Sequence, residues 1–360
     1  MPARVMPPGR TISRELEARG WTQKDLAEIM GRPEQAISQI VNGDKEITPQ
    51  TAIELSKAFG VSAQFWSNLE ANYRLWLAAR DKEPESIERK ARLYSVAPVA
   101  ELKKNGWLPD TKDIDRLEQA YLELMEADSV DRAGEFKIAA RRSIKREAVT
   151  NHLEIWVKRV EWIVRNYDVG KYSRKSLDDG VSEIINLSEN ALNLDNIPFM
   201  LMELGIKFAL VPHLSGTYLD GAVFSMNGNP VIALTLRYDR IDSFWFTLMH
   251  EIAHLVSGHD GMYLDTIFDR KGLSGREEKS ADSLAQNWLI NPEEYEIFVQ
   301  NNHPYFRAKA ISGFAESIGR HPSIVLGRLQ FDGLVSWKSF RKLHEKARPH
   351  LEAFYDKPIG

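Results

Sequence analysis

In the stretch FWFTLMHEIAHLVSGHDG, residues 244–261, two histidines stand four apart with a glutamate after the first: His250, Glu251 and His254. On an α-helix, positions i and i+4 lie nearly one above the other, so both imidazoles face one way at the spacing a single Zn2+ needs. Glu251 then projects beside them, where its carboxylate can take a proton from a metal-activated water. This is half of a hydrolytic site. A five-residue pattern is short enough to arise by accident, so its surroundings decide. WFTLM and IAHLV supply apolar residues at helical spacing, which puts the ligands on a buried, rigid helix.

A zinc ion that hydrolyses something keeps three protein ligands and leaves the fourth position to water. The chain has no cysteine, so every ligand must be a histidine or a carboxylate. REEKSADSLAQNWLINPEEY, residues 276–295, reads as a second helix with Ala281, Leu284, Ala285, Trp288 and Leu289 on its inner side. Glu278 is the candidate third ligand, and Asp282, one turn on, can hydrogen-bond the outer nitrogen of a ligating imidazole. The plain alternative makes Glu277, Glu278 and Lys279 a solvated face and the histidines structural. His259, just past Gly258, is left outside the ligand set. Tyr238, Tyr263 and His321 could each stabilise an oxyanion, but the sequence does not position them.

The elements that must carry these residues belong to a chain of 360 residues, long enough for two or three domains. A net charge of -4 gives no global attraction to nucleic acid, so any DNA contact needs a local patch. The absence of cysteine, of a signal-peptide core and of an apolar run of ~18 residues predicts a soluble cytoplasmic protein with no membrane partner. The pattern predicts a mainly α fold with a small β-sheet (α+β). Residues 1–80 form a five-helix N-terminal domain, 81–98 a charged helical linker, 99–345 a second domain and 346–360 a tail. IKFALVP, DGAVFS and PVIALTL read as strands of a sheet at about 206–236, with a hairpin at SMNGNP. The site helices are expected at about 243–257 and 277–290.

Within the first domain, residues 22–42 fit a helix-turn-helix whose second helix enters the major groove. Thr22 should cap the first of these helices and Pro33 suits the first turn of the second, while Gly20, Gly43 and Gly60 sit where helix ends need positive φ. Ala27, Ile37, Ile40 and Val41 are spaced to face the core. Gln35, Ser38 and Gln39 carry side chains suited to base edges, and Gln23, Arg32 and Lys45 are placed for phosphate. Acidic Glu28, Glu34, Asp44 and Glu46 lie close by, which predicts modest, salt-dependent affinity. A partner-docking module without DNA would share the same polar outer faces.

TQKDLAEIMGRPEQAISQIVNGDKEITPQTAIELSKAFGVSAQFWSNLEANY is similar to the Xre-type helix-turn-helix of HigA-like antitoxins, over about residues 8–80. That resemblance implies binding of a double-stranded DNA operator as a homodimer, repression of the chain's own promoter and capture of a HigB-type toxin. HEIAHL, RYDRIDSFWFTLM, EEKSADSLAQNWLINP, ARRS, GIKFALVPHL and IGRHPSIVLGRLQ together resemble the ImmA/IrrE metallopeptidases, over about 95–345. The second-helix pattern of that family, Glu-x-Glu-Ala-Asp/Asn-x-Phe-Ala, aligned on Ala281 and Asp282, selects Glu278 over Glu277; Ser280 and Leu284 depart from it. What this resemblance implies is a zinc metalloendopeptidase that cuts a repressor protein under stress, with the substrate strand laid against an edge such as PVIALTL. The alternative is a HigA-like antitoxin or autorepressor whose peptidase-like domain is a non-catalytic sensor or scaffold.

Overall fold

A computed structural model of the chain describes residues 6–78, 83–132, 147–258, 263–266 and 276–359. The chain divides into two compact units, Met1–Lys90 and Ala91–Gly360, each with its own core.

Among its described residues the first unit holds five complete helices, α1 (Pro8–Arg19), α2 (Gln23–Met30), α3 (Glu34–Asn42), α4 (Pro49–Phe59) and α5 (Ala63–Ala78). Reciprocal capping starts α2: the Thr22 hydroxyl accepts from the Asp25 amide, and the Asp25 carboxylate accepts from the Thr22 amide at 2.7 Å. Glycines in the left-handed region, among them Gly31 and Gly43, end the short helices and turn the chain back. Pro33 lies one residue earlier than expected, as the extended residue before α3 and not in its first turn. Ile12, Leu26, Ile37, Leu55 and Trp66 fill the core. At Gly9 the backbone of α1 runs so close to the Val41 carbonyl that a Cβ would overlap it.

In the second unit, α6 (Glu83–Val96), which begins before the division, leads into α7 (Val99–Lys104), α8 (Ile114–Met125), α9 (Glu147–Val164), α10 (Arg174–Asn186) and α11 (Ile197–Glu203). The strands follow: β1 (Lys207–Leu210), β2 (Leu219–Met226), β3 (Asn229–Leu234) and, after α12 (Ile241–Ser257), β4 (Tyr263–Thr266). Then come α13 (Arg276–Leu289), α14 (Pro292–Asn302), α15 (Ala308–Ser317), α16 (Pro322–Phe331) and α17 (Arg348–Leu351). The sheet order is β1-β3-β2-β4, with β1 parallel to β3 and the other pairs antiparallel. Asn227 and Gly228, with φ of 55° and 83°, make the two-residue β2–β3 hairpin, the backbone such a turn demands.

Alternate strand residues serve two cores. Phe208, Leu210, Val223, Ile232 and Leu234 pack on the side of α12, whereas Ala209, Ala222, Phe224, Val231 and Ala233 pack with Trp156 and Val160 of α9. Burial on both faces explains why these strands read as continuous apolar runs. The expectation of a substrate pairing with PVIALTL is corrected here: β3 is interior, bonded to β1 on one side and β2 on the other, so its backbone groups are taken. Among the described residues, no helix is long and apolar enough to cross a membrane.

Candidate metal centre and helix-turn-helix surface

The first nine residues of α12 are largely apolar and pack on the sheet; the next five carry His250, Glu251 and His254, which are 3%, 0% and 1% exposed. Imidazoles this deep must find partners. They find them on α13, the helix packed against α12. The Nε2 atoms of His250 and His254 are 3.1 Å apart, and the Glu278 carboxylate lies 3.2 Å from the first and 3.5 Å from the second. One ligand atom from each of the three residues falls within 4.8 Å of the others. Asp282 accepts a hydrogen bond from Nδ1 of His250 at 2.9 Å, which leaves the lone pair of Nε2 pointing inward. Burial opposes the charge on Glu278, yet the neighbouring His250 and His254 hold its carboxyl far below the usual range.

A metal fits this donor set. Two ligands at the usual Zn–N distance of about 2.0–2.1 Å and a tetrahedral angle stand roughly 3.3 Å apart, close to the 3.1 Å between the ring nitrogens. Imidazole and carboxylate are both ligands that zinc accepts.

Gly221 was not singled out in the sequence. It sits at the irregularity of the β2–β4 pairing, and a Cβ there would stand 2.5 Å from Oε1 of Glu251 and 2.7 Å from Cγ2 of Thr247. The missing side chain makes room for the carboxylate. A glycine inside a strand is the available signal, since it often marks a bulge or close approach. Gly258, at φ 69°, ends α12, so His259 lies beyond the helix and outside the described residues, as do ARRS and the side chain of Tyr263. His321 is engaged elsewhere: its Nε2 meets Glu345 at 3.2 Å and its Nδ1 caps α16. Tyr238 is exposed, with the Arg237 guanidinium 4.3 Å from its ring centre.

In the first unit, Gln35 is exposed on α3, with Ser38 and Gln39 half-buried and Ile37 and Ile40 turned into the core. Gln23 opens α2 half-buried, and Lys45 is exposed after α3. Arg32 is already committed: its Nε lies 2.6 Å from Glu54, whose carboxyl is lowered by that bond first and by Gln50 second. A phosphate would have to compete with Glu54 for this guanidinium.

Fold and site together define a chain with a small all-helical unit of helix-turn-helix form and a larger α+β unit in which two histidines and a glutamate converge. The helix-turn-helix family matches residues 12–66. Virulence-associated protein A of Dichelobacter nodosus is 41% identical over 61 residues, which is 17% of this chain and 60% of that protein. Antitoxin HigA-1 of Vibrio cholerae serotype O1 is 39% identical over 61 residues, 17% of this chain and 57% of that protein. Virulence-associated protein I of Dichelobacter nodosus is 34% identical over 81 residues, 22% of this chain and 75% of that protein. The chain belongs to the helix-turn-helix family through this region, while it spans only about three-fifths of the first two relatives.

Proposed function

We propose that the chain is a transcriptional regulator that reads double-stranded DNA with α3 and cuts a regulatory protein, of the repressor kind, with a zinc-dependent metallopeptidase site on α12 and α13. The second unit is then zincin-like, of the ImmA/IrrE type. One observation carries the reading: two buried imidazole nitrogens and a carboxylate from another helix converge on one point.

His250, His254 and Glu278 would hold the ion. Zinc, when bound, polarises a peptide carbonyl and lowers the pKa of water toward neutrality. Asp282 keeps the His250 ring turned with its lone pair inward. Glu251 takes the proton of the attacking water onto a carboxylate oxygen and returns it to the leaving amine nitrogen, so the peptide bond is replaced by a carboxylate and an amine. Its burial against Gly221 keeps bulk water from competing for that proton.

On the DNA side, Gln35, Ser38 and Gln39 face base edges while Gln23 and Lys45 meet phosphate; a homodimer would span two half-sites. The similarity to a protein named as an antitoxin supports a second reading, in which the first unit also captures a HigB-type toxin and the second unit is a scaffold. Glu251→Gln separates the two. In a mixture of peptides of diverse sequence, zinc-loaded wild type should cut and Glu251→Gln should be slower by ~10²–10⁴-fold with zinc retained. Equal rates, or no cutting by wild type, would favour the scaffold.

A further inference from the structure

We infer that a cavity of about 490 Å3 beside His250 holds a bulky, neutral aromatic side chain of the polypeptide that is cut, at the residue next to the scissile bond. The inference rests on the peptidase reading and names the class of substrate that site selects.

Position comes first. Thr247, His250 and Asp282 form part of the cavity wall, so it is continuous with the candidate metal centre and a chain crossing that centre passes its mouth. At this volume it lies within the ~300–1,000 Å3 range of ligand pockets, well beyond a crevice for water. Its inner wall is apolar, from Leu234, Leu236, Phe244, Phe246 and Ala285, and Tyr238, Phe331 and Trp337 border it with their rings exposed. Leu236 is held at φ 51°, a left-handed backbone that a leucine adopts only at a cost and that tends to be kept where a wall must have one shape.

Charge then decides the class. Three guanidiniums reach the lining, but each has an acidic partner: Arg237 with Asp220 at 2.7 and 3.0 Å, Arg240 with Asp242 at 2.7 Å, and Arg328 with Asp332 at 2.9 Å. Asp282 is engaged by His250. An acidic or basic side chain therefore meets charges that are already paired, and loses its hydration on entering. A flat ring does better. Arg237 already lies 4.3 Å from the Tyr238 ring centre and Arg240 5.0 Å from that of Trp337, so aromatic and guanidinium planes alternate, and another ring can join them.

The test uses full-length, metal-free protein, so that neither zinc nor turnover enters the readout. Binding of N-acetyl-phenylalaninamide, N-acetyl-alaninamide and N-acetyl-aspartic acid amide is measured by ligand-observed NMR. The aromatic probe should bind tighter than the other two by about ten-fold or more. Gln286→Trp, which places a ring at the half-buried lining position one turn after Asp282, should abolish the difference. Trp337→Ala, at an exposed position, should reduce it without touching the core. Equal binding of the three probes, tighter binding of the acidic one, or a preference surviving both variants overturns the inference. In the peptide mixture, zinc-loaded wild type should cut beside aromatic residues; cuts without side-chain preference contradict the pocket and leave the peptidase reading standing. Absence of any cut contradicts the peptidase reading instead, and the probe arm decides the cavity by itself.

Discussion

His250 is gripped from both sides, by Glu278 at Nε2 and by Asp282 at Nδ1, and the second contact makes the first useful. A ring free to turn would present its lone pair to a metal only part of the time. Asp282→Asn keeps the size of the side chain and weakens its hold, so zinc affinity should fall by about 10–100-fold in competition with a chelator. Unchanged affinity would mean that packing alone orients the ring. Gly221 makes the opposite kind of contribution, by leaving space. Gly221→Ala puts a methyl 2.5 Å from Glu251 and should displace the carboxylate, slowing hydrolysis by roughly 10²-fold while zinc still binds. Loss of zinc together with activity would instead point to a collapse of α12 onto β2. The clustering of His250, His254 and Glu278 was legible in the sequence because helical period alone superimposes His250 and His254, and Glu278 and Asp282 likewise share one helix face. Gly221 was not, because the carboxylate above it is thirty residues away.

At the scale of elements, local chemistry read well and non-local pairing read poorly. Thr22, the helix-ending glycines and the Asn227-Gly228 turn act on their immediate neighbours, so the five helices of the first unit and the β2–β3 hairpin follow from short stretches. The parallel partnership of β1 and β3 spans more than twenty residues, and nothing in PVIALTL signals that both its edges are covered. β4, the four residues YLDT, has too little alternation to stand out. The pairing of Arg32 with Glu54 is likewise hidden in the sequence, because Glu54 belongs to another helix. Two substitutions test the first unit. Thr22→Ala removes one half of the capping box and should cost about 1 kcal/mol. Gly9→Ala drives a methyl into the Val41 carbonyl and should cost about 1–3 kcal/mol, with a lower melting temperature and weaker operator binding. A Gly9→Ala protein melting like wild type would show that α1 can slide along α3 without loss.

For the whole molecule, two units with separate cores make the two proposed activities separable by substitution. Gln35→Ala with Gln39→Ala should weaken operator binding, by about 1–3 kcal/mol for each lost base contact, and leave zinc content unchanged. Combined with Glu251→Gln, the effects on DNA binding and hydrolysis should add without interaction. Strong coupling between them would show that the operator and the peptidase site communicate. On the proposed function, such a chain would bring a protein-cutting site to the DNA that its first unit would read. The claim beneath this is that α12 and α13 make a metal site. Elemental analysis of full-length protein, refilled with zinc and dialysed, tests it most directly: the account predicts about one zinc per wild-type chain and a small fraction of that in His254→Ala. Wild type and His254→Ala retaining the same zinc, or neither retaining any, would contradict it.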